Sequence, residues 1–113
     1  LYEERKKVVE NFYNINFDVH SFNLVLWDEG NYQGLHDDLT SFGVEYPGRD
    51  FSAIIYLNDN YEGGWTYIPQ LNYIQHPRKG TLFAFHSGHH KHGVTEVKNG
   101  KRYVSSCYYT IKP

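Results

Sequence analysis

Hydrophobic and polar positions follow two different periods along this chain, one typical of a helix and the other typical of strands. In Tyr2–Tyr13 the apolar residues recur at helical spacing and glutamates occupy the first turn, which predicts a helix. Residues 21–27 predict a strand, because every second residue is a large apolar one. Phe22, Leu24 and Leu26 would share one face of this strand. One helix followed by strands is therefore the expected order.

Alternation punctuated by turn residues continues to the end of the chain. Residues 51–58 are apolar on both faces, which predicts a central strand. Asn99 and Gly100 are typical of a hairpin turn, and residues 40–49 have the composition of a loop. Further strands are predicted at 33–38, 65–69, 72–76, 81–86, 92–97 and 102–111. The pattern predicts an all-β sandwich or jelly roll with a helix leaning on it.

Composition narrows the class of protein. A length of 113 residues suits one domain with a modest core, and the 18% of aromatic residues suits strands. A net charge of −2 without a basic run argues against a nucleic-acid partner, and no apolar run approaches the roughly 20 residues of a membrane span. The single cysteine, Cys107, rules out an intrachain disulfide framework, so a cytoplasmic or other intracellular setting is expected.

The chain contains no methionine, even at position 1. We therefore expect that the true N-terminus is processed, trimmed or missing. The length predicts that residues 1–113 form a single domain. Oligomeric state is not predictable from these features.

The segment Gly34-Leu35-His36-Asp37-Asp38 carries the first candidate chemistry. On a strand, residues i and i+2 face the same side, so His36 and Asp38 are expected to face one metal ion while Asp37 points away. Two imidazoles and one carboxylate on one face of an ion form the facial triad of non-haem iron(II) oxygenases. A second histidine is therefore required elsewhere in the chain.

Four histidines, at positions 86, 89, 90 and 92, could supply that imidazole. His92 is preferred because it begins a late strand and lies ten residues before Arg102, so a metal ion and a cation could share one cavity. His89 and His90 have the neighbours of solvent-exposed loop residues. His86 is expected to end a strand.

Arg102 and Tyr56 are candidates for binding a cosubstrate. Arg102 begins a largely uncharged strand, and a buried guanidinium needs an anionic partner, which a dicarboxylate would supply. Tyr56 lies in the most apolar strand, where its hydroxyl also needs a partner. Each residue alone is more typical of a structural role, and only their combination with the triad favours binding.

Two other metal sites compete with this interpretation. Zinc hydrolases also use two histidines and one carboxylate, but commonly as His-Glu-x-x-His on a helix, and no such helix is predicted. A cupin-like module that binds metal without turnover would use a similar barrel.

Several short motifs, in this order, resemble the 2-oxoglutarate- and iron(II)-dependent dioxygenases, and most of all the prolyl 4-hydroxylase and egl-nine-type branch. The resemblance covers about residues 22–110. Its motifs are Arg49-x-x-Ser52-Ala53-Ile54-Ile55-Tyr56-Leu57-Asn58, Gly63-Gly64, Pro77-x-x-Gly80-Thr81-Leu82-x-x-Phe85, His92-x-Val94 and Arg102-Tyr103.

The resemblance implies a mainly β protein with a double-stranded β-helix (jelly-roll, cupin-like) fold and His36, Asp38 and His92 as iron(II) ligands. It further implies that Arg102 binds the distal carboxylate of 2-oxoglutarate and that Tyr56 hydrogen-bonds the same group. The implied reaction uses O2, with ascorbate as a reductant, and hydroxylates a C–H bond with release of succinate and CO2. Prolyl residues of a peptide or protein are the expected substrate; a small molecule or a lysyl residue is the alternative.

Two positions depart from the pattern of the branch. Trp65 stands where relatives often carry Glu, and Arg102 stands where many prolyl hydroxylases carry Lys. Asp38 is present, whereas related halogenases carry a small residue there, so hydroxylation is favoured over halogenation. The family's usual N-terminal support for the barrel is expected to be missing. Candidate walls of the substrate pocket are Trp27, Tyr32 and Tyr108.

Overall fold

The computed structural model describes residues 2–41, 44–45 and 47–113. Within them, one helix, α1 (Tyr2–Tyr13), precedes the strands and matches the predicted bounds. A short 3-10 helix covers Pro69–Leu71. The strands are β1 (Phe17–Trp27), β2 (Gln33–His36), β3 (Thr40–Ser41), β4 (Val44–Glu45), β5 (Phe51–Tyr56), β6 (Glu62–Gly63), β7 (Thr66–Ile68), β8 (Tyr73–Gln75), β9 (Leu82–His86), β10 (His92–Val94), β11 (Val97–Lys98) and β12 (Arg102–Ile111).

Eight of these strands form two four-stranded antiparallel sheets. The major sheet has the order β1-β12-β5-β9, and the minor sheet has the order β2-β10-β7-β8. The sheets meet where Tyr56 of β5 and Arg102 of β12 contact Thr66 of β7. The mainly β architecture with an N-terminal helix and the central position of β5 are confirmed. No helix in the described part of the chain is long and apolar enough to cross a membrane.

Helix α1 packs on the outer face of the major sheet, the face turned away from the minor sheet. The buried apolar cluster at this contact consists of Val9, Phe17, Phe51, Ala53, Cys107 and Tyr109. The buried guanidinium of Arg5 reaches across to β12 and donates to the Ser105 carbonyl (3.2 Å) and the Ser105 hydroxyl (2.7 Å). The helix is therefore fixed to the sheet by both apolar packing and a buried polar contact.

Strand β1 begins four residues earlier than predicted and contains a bulge. Its pairing with β12 shifts between Val19 and Ser21, so the alternation of the two faces changes phase there. Phe17 and Phe22 consequently both face the α1 side of the sheet. Beyond the bulge this face is open, and Leu24 is 71% exposed.

Two predicted connections are wrong. Asn99 has the positive φ of a tight turn, but the strands on either side of it do not form a hairpin, because β11 pairs with β6 while β12 pairs with β1 and β5. The predicted loop at 40–49 contains the short pair β3 and β4. Residues 42, 43 and 46 of that loop lie outside the described residues.

Strand β10 is held between β2 and β7 with little room. His92 pairs with His36 of β2, and Gly93 pairs with Tyr67 of β7. A Cβ atom at Gly93 would lie 2.5 Å from the Tyr67 hydroxyl and 2.8 Å from the Gln33 carbonyl oxygen. Only glycine fits this position without a shift of backbone or ring.

Candidate metal centre

Three predicted ligands, His36, Asp38 and His92, come together between β2 and β10. Strand pairing places His36 opposite His92, and their ring centroids are 4.3 Å apart. Asp38 does not follow from strand alternation as we predicted, because β2 ends at His36 and Asp38 lies in a bend beyond it. The bend itself turns the carboxylate toward the two imidazoles.

The donor atoms of these three residues converge. Asp38 Oδ1 lies 3.3 Å from Nε2 of His36 and 3.2 Å from Nε2 of His92, and the three donor atoms lie within 4.8 Å of one another. Nδ1 of His36 donates to the Gly34 carbonyl (2.9 Å), and Nδ1 of His92 is 3.4 Å from the His90 carbonyl. Such backbone contacts fix the rings with Nε2 free for a metal ion.

The electrostatics of the cluster favour a cation between its members. Burial alone would raise the pKa of Asp38, but hydrogen bonds from His36, His92 and Ser52 hold it well below its usual range. Burial lowers the pKa of His36, but the Asp38 carboxylate and the Gly34 carbonyl outweigh that effect and raise it. The carboxylate is thus ionised at neutral pH and attracts positive charge.

Two serines that were not predicted form a chain of hydrogen bonds to the second oxygen of Asp38. The Ser52 hydroxyl donates to Oδ2 (2.5 Å), and Ser87 Oγ lies 2.7 Å from Ser52 Oγ. Ser52 was visible within a motif and Ser87 within a polar segment. Their position beside Asp38 depends on the meeting of three separate segments of the chain, and local sequence patterns cannot predict that meeting.

Arg102 lines the same cavity as the three predicted ligands, and this cavity has a volume of about 110 Å³. The residue is 1% exposed, and its Nε atom has no hydrogen-bond partner. Its guanidinium lies over the rings of Trp27 (4.9 Å) and Tyr56 (5.4 Å). Burial lowers the pKa of Arg102, and the neighbouring Tyr56 and Tyr61 oppose this. The cavity therefore contains a desolvated cation.

Hydroxyl groups surround that cation. The Thr66 hydroxyl accepts from Arg102 (3.4 Å) and lies 2.6 Å from the Tyr56 hydroxyl. Tyr61, whose pKa burial raises to about 12, lies on the same side. Tyr56 is thus bonded to Thr66 beside Arg102 and is not itself among the residues that line the cavity. Thr66, which lines the cavity, and Tyr61 are additional members of this polar group that were not predicted.

The candidate pocket residues separate into two groups. Trp27 and Tyr108 line the cavity, and the Arg49 guanidinium lies 4.1 Å from the centre of the Tyr108 ring. Tyr32 does not line it: this residue is 70% exposed and belongs to a different groove, beside Trp65. Tyr32 lies before the start of β2, whose last residue is His36.

The remaining histidines of the late segment lie outside the cluster. His86 ends β9, as expected, and packs against Phe51 on the outer face of the major sheet. His89 is exposed and stacks on His86, with ring centroids 3.6 Å apart. The preference for His92 among the four candidates therefore agrees with the geometry.

Comparison with known proteins identifies the family. The model of the 2OG-Fe(II) oxygenase superfamily matches residues 20–110. The chain belongs to the 2OG-Fe(II) oxygenase superfamily. This family implies Fe(II), 2-oxoglutarate and O2 as the reacting components.

Prolyl hydroxylases are among the relatives of this oxygenase-family chain. It is 38% identical over 74 residues to prolyl 3-hydroxylase 3 of Mus musculus, covering 60% of this chain and 10% of the relative. It is 28% identical over 106 residues to prolyl 3-hydroxylase 2 of Homo sapiens, covering 88% of this chain and 14% of the relative. The chain thus spans only a small part of the curated relatives it matches.

Solved structures share the fold. A 2OG-Fe(II) oxygenase family protein from Burkholderia pseudomallei superposes with a TM-score of 0.80 at 18% identity, covering 94% of this chain and 50% of the other. Viral collagen prolyl hydroxylase from Paramecium Bursaria Chlorella virus-1, in its 2OG complex, gives 0.80 at 19% identity, covering 99% and 72%. The predicted jelly roll is confirmed.

The residues of this chain fit the groups that the family implies. Two imidazole nitrogens and one carboxylate oxygen match the donor set of a non-haem iron(II) site. The unpartnered Nε of the buried Arg102 matches the carboxylate of a dicarboxylic acid. Each group thus has residues suited to its chemistry.

Proposed function

We propose that this protein is an iron(II)- and 2-oxoglutarate-dependent dioxygenase that hydroxylates prolyl residues of a peptide or protein, with release of succinate and CO2. Residues 1–113 would act as one catalytic domain. The supporting observation is the convergence of His36, Asp38 and His92 in one cavity with the buried, unpaired Nε of Arg102.

The division of roles follows the chemistry of each side chain. His36, Asp38 and His92 would hold the metal ion on one face and leave the opposite positions open. Bound iron(II) supplies the redox chemistry that couples decarboxylation of 2-oxoglutarate to C–H hydroxylation. Arg102 would bind the distal carboxylate, and Thr66 and Tyr56 would supply the neighbouring hydroxyls.

Apolar walls would exclude water between these two polar ends. Ile54, Val94 and Val104 line the cavity between the metal ligands and Arg102. In such a site of low polarity, the pairing of Arg102 with a carboxylate is stronger than it would be in water. The cosubstrate would therefore be oriented with its distal end inward and its reacting end at the metal.

The names of the relatives support a prolyl substrate. Those cited above are prolyl 3-hydroxylases, and one structural neighbour is a collagen prolyl hydroxylase. The sequence motifs resemble those of prolyl 4-hydroxylases, whereas these relatives are prolyl 3-hydroxylases, so the test distinguishes hydroxylation at the two ring carbons. Arg49 and Tyr108, at the cavity wall, would contact the substrate.

The test measures succinate formed from 2-oxoglutarate in the presence of Fe(II), ascorbate as the proposed reductant and proline-rich peptides. Hydroxyproline in the peptide is identified by mass spectrometry, and NMR distinguishes the 3- from the 4-isomer. We expect turnover by the wild type and a loss in His36→Ala well beyond the roughly 10–100-fold that changes around a metal ligand cost.

The matched control is His89→Ala, which removes an exposed histidine of the late segment and should keep turnover. Succinate without hydroxyproline would redirect the proposal to a small-molecule or lysyl substrate. If the wild type forms no succinate under all substrate and metal conditions tested, the oxygenase activity is refuted in favour of a non-catalytic metal-binding module.

A further inference from the structure

The two carboxylate oxygens of Asp38 have different partners. Oδ1 lies 3.3 Å and 3.2 Å from Nε2 of His36 and His92. Oδ2 accepts a hydrogen bond from the Ser52 hydroxyl. One oxygen therefore faces the point where the donor atoms converge, and the other is held by a serine.

Ser52 is itself held by a second serine. Ser87 Oγ lies 2.7 Å from Ser52 Oγ, and both residues are buried. A hydroxyl has a single proton to donate, and an ionised carboxylate can only accept. Since Ser52 donates its proton to Asp38, Ser87 must donate to Ser52. The Ser87 carbonyl also accepts from the Asp38 backbone N–H (3.3 Å), so Ser87 contacts both partners.

The backbone of Ser52 is well fixed. It lies in the central strand β5, where it pairs with Tyr108 of β12 on one side and with Phe85 of β9 on the other. Its hydroxyl therefore presents a donor at a defined position, independent of the bend that carries Asp38.

We propose that Ser52 is a positioning residue that keeps Asp38 a one-oxygen metal ligand, and that Ser87 orients the Ser52 hydroxyl. The inference rests on the proposed function, because it concerns the same metal centre. An ion held by the three donor atoms would keep open positions, and a chelating 2-oxo acid would need two of them. A carboxylate bound through both oxygens would compete with the 2-oxo acid for one of these positions. By holding Oδ2, Ser52 keeps that position available.

The experiment uses Ser52→Thr and Ser52→Val, which have nearly the same shape and differ in the hydroxyl group. Each 113-residue variant is titrated with Co(II), which serves as a non-reacting probe, and then with 2-oxoglutarate by calorimetry. The visible absorption of cobalt reports the coordination. We expect Ser52→Val to bind Co(II) but to bind 2-oxoglutarate about tenfold more weakly, with an altered spectrum. Ser52→Thr should stay within about twofold of the wild type.

Ser87→Ala should also weaken 2-oxoglutarate binding, but by a smaller factor than Ser52→Val. In this variant Ser52 still donates to Asp38 but no longer accepts a hydrogen bond from the Ser87 hydroxyl. Ser105→Ala is the control: it removes a buried serine hydroxyl on the outer face, bound to Arg5, and should leave 2-oxoglutarate affinity unchanged.

Wild-type affinity and spectrum in Ser52→Val would overturn the inference while leaving the proposed function intact. If Ser52→Val does not fold, Ser87→Ala decides the matter, and an unchanged affinity and spectrum there would count against the inference. Failure of the wild type to bind Co(II) would instead remove the proposed function and, with it, the inference.

Discussion

The two faces of the major sheet differ sharply, although the same strands supply both. On the outer face, Phe51 and Ala53 of β5 pack with α1 in an apolar cluster. On the inner face, Ser52 of the same strand holds Asp38, and Tyr56 contacts Thr66 beside Arg102. The outer face is built mainly from apolar contacts, apart from the hydrogen bonds between Arg5 and Ser105, whereas the inner face combines buried polar groups with apolar walls.

This difference separates the source of stability from the source of chemistry. Burial of apolar surface favours folding, whereas burial of a polar or charged group opposes it unless a partner is present. The inner face keeps a guanidinium nitrogen without a partner, which is acceptable because the outer cluster stabilises the sheet. Changes on the two faces should therefore have separable effects.

The largest expected effect on stability is on the outer face. Phe51→Ala removes a ring that contacts Tyr13 (4.5 Å), Phe17 (5.0 Å) and His86 (4.9 Å). We expect the free energy of unfolding to fall by about 3–5 kcal/mol, measured by urea denaturation. The fraction that remains folded should bind Co(II) with wild-type affinity.

Leu24→Ala is the control for Phe51→Ala, since it removes an apolar side chain that is mostly exposed and should cost less than about 0.5 kcal/mol. A loss of Co(II) affinity in folded Phe51→Ala would show that the two faces are not separable.

On the inner face, Arg102→Met replaces the buried cation with an apolar side chain of similar length. We expect 2-oxoglutarate to bind at least about 30-fold more weakly, because a buried charged partner typically contributes about 2 kcal/mol or more. The free energy of unfolding should stay the same or rise, because burying the charge opposes folding. Calorimetry and urea denaturation measure the two quantities.

Lys101→Met changes the neighbouring exposed cation and serves as the control. An unchanged 2-oxoglutarate affinity in Arg102→Met would contradict the role of Arg102, and a large loss of stability would contradict the contrast between the faces.

The smallest expected effect is the contribution of Tyr61 to the pH dependence of the free energy of unfolding. Burial raises the pKa of its hydroxyl from 10.0 to about 12, so the folded state keeps the proton while the unfolded state loses it. Titration of Tyr61 should therefore leave the free energy of unfolding unchanged below pH 10. It should lower that free energy by about 1 kcal/mol as the pH rises toward 12, allowing for solvent screening. Tyr61→Phe should remove this part of the pH dependence of the unfolding free energy.

Tyr103→Phe, which alters an exposed tyrosine, should keep the alkaline pH dependence of the wild type. Equal slopes for wild type and Tyr61→Phe above pH 10 would contradict the assignment.

Local patterns predicted the elements whose sequence alone fixes their structure. The bounds of α1 and β12 match because helical spacing in α1 and a run from Arg102 to Ile111 without glycine or proline in β12 are local properties. The order of motifs also predicted the family and the three residues that converge. Pairing partners were harder: the turn at Asn99 was predicted from its chemistry, but the sequence could not show that β11 pairs with β6.

Features that depend on several segments could not be predicted. The bulge in β1 reverses the phase of alternation, so the pattern before Ser21 did not resemble the pattern after it. The contacts among Asp38, Ser52 and Ser87 require the bend after β2, the central strand and the end of β9 to meet. Short-range spacing contains no information on that meeting, nor on the exposure of Tyr32.

Gly93 has a consequence for the accuracy of folding. Because a side chain at this position would meet both Tyr67 and Gln33, a pairing of β10 shifted by one residue would force His92 or Val94 into a space that admits neither. The same shift would turn His92 away from His36, since neighbouring residues of a strand face opposite sides. A misaligned strand is therefore rejected on steric grounds before it can yield a folded molecule with an incomplete metal site.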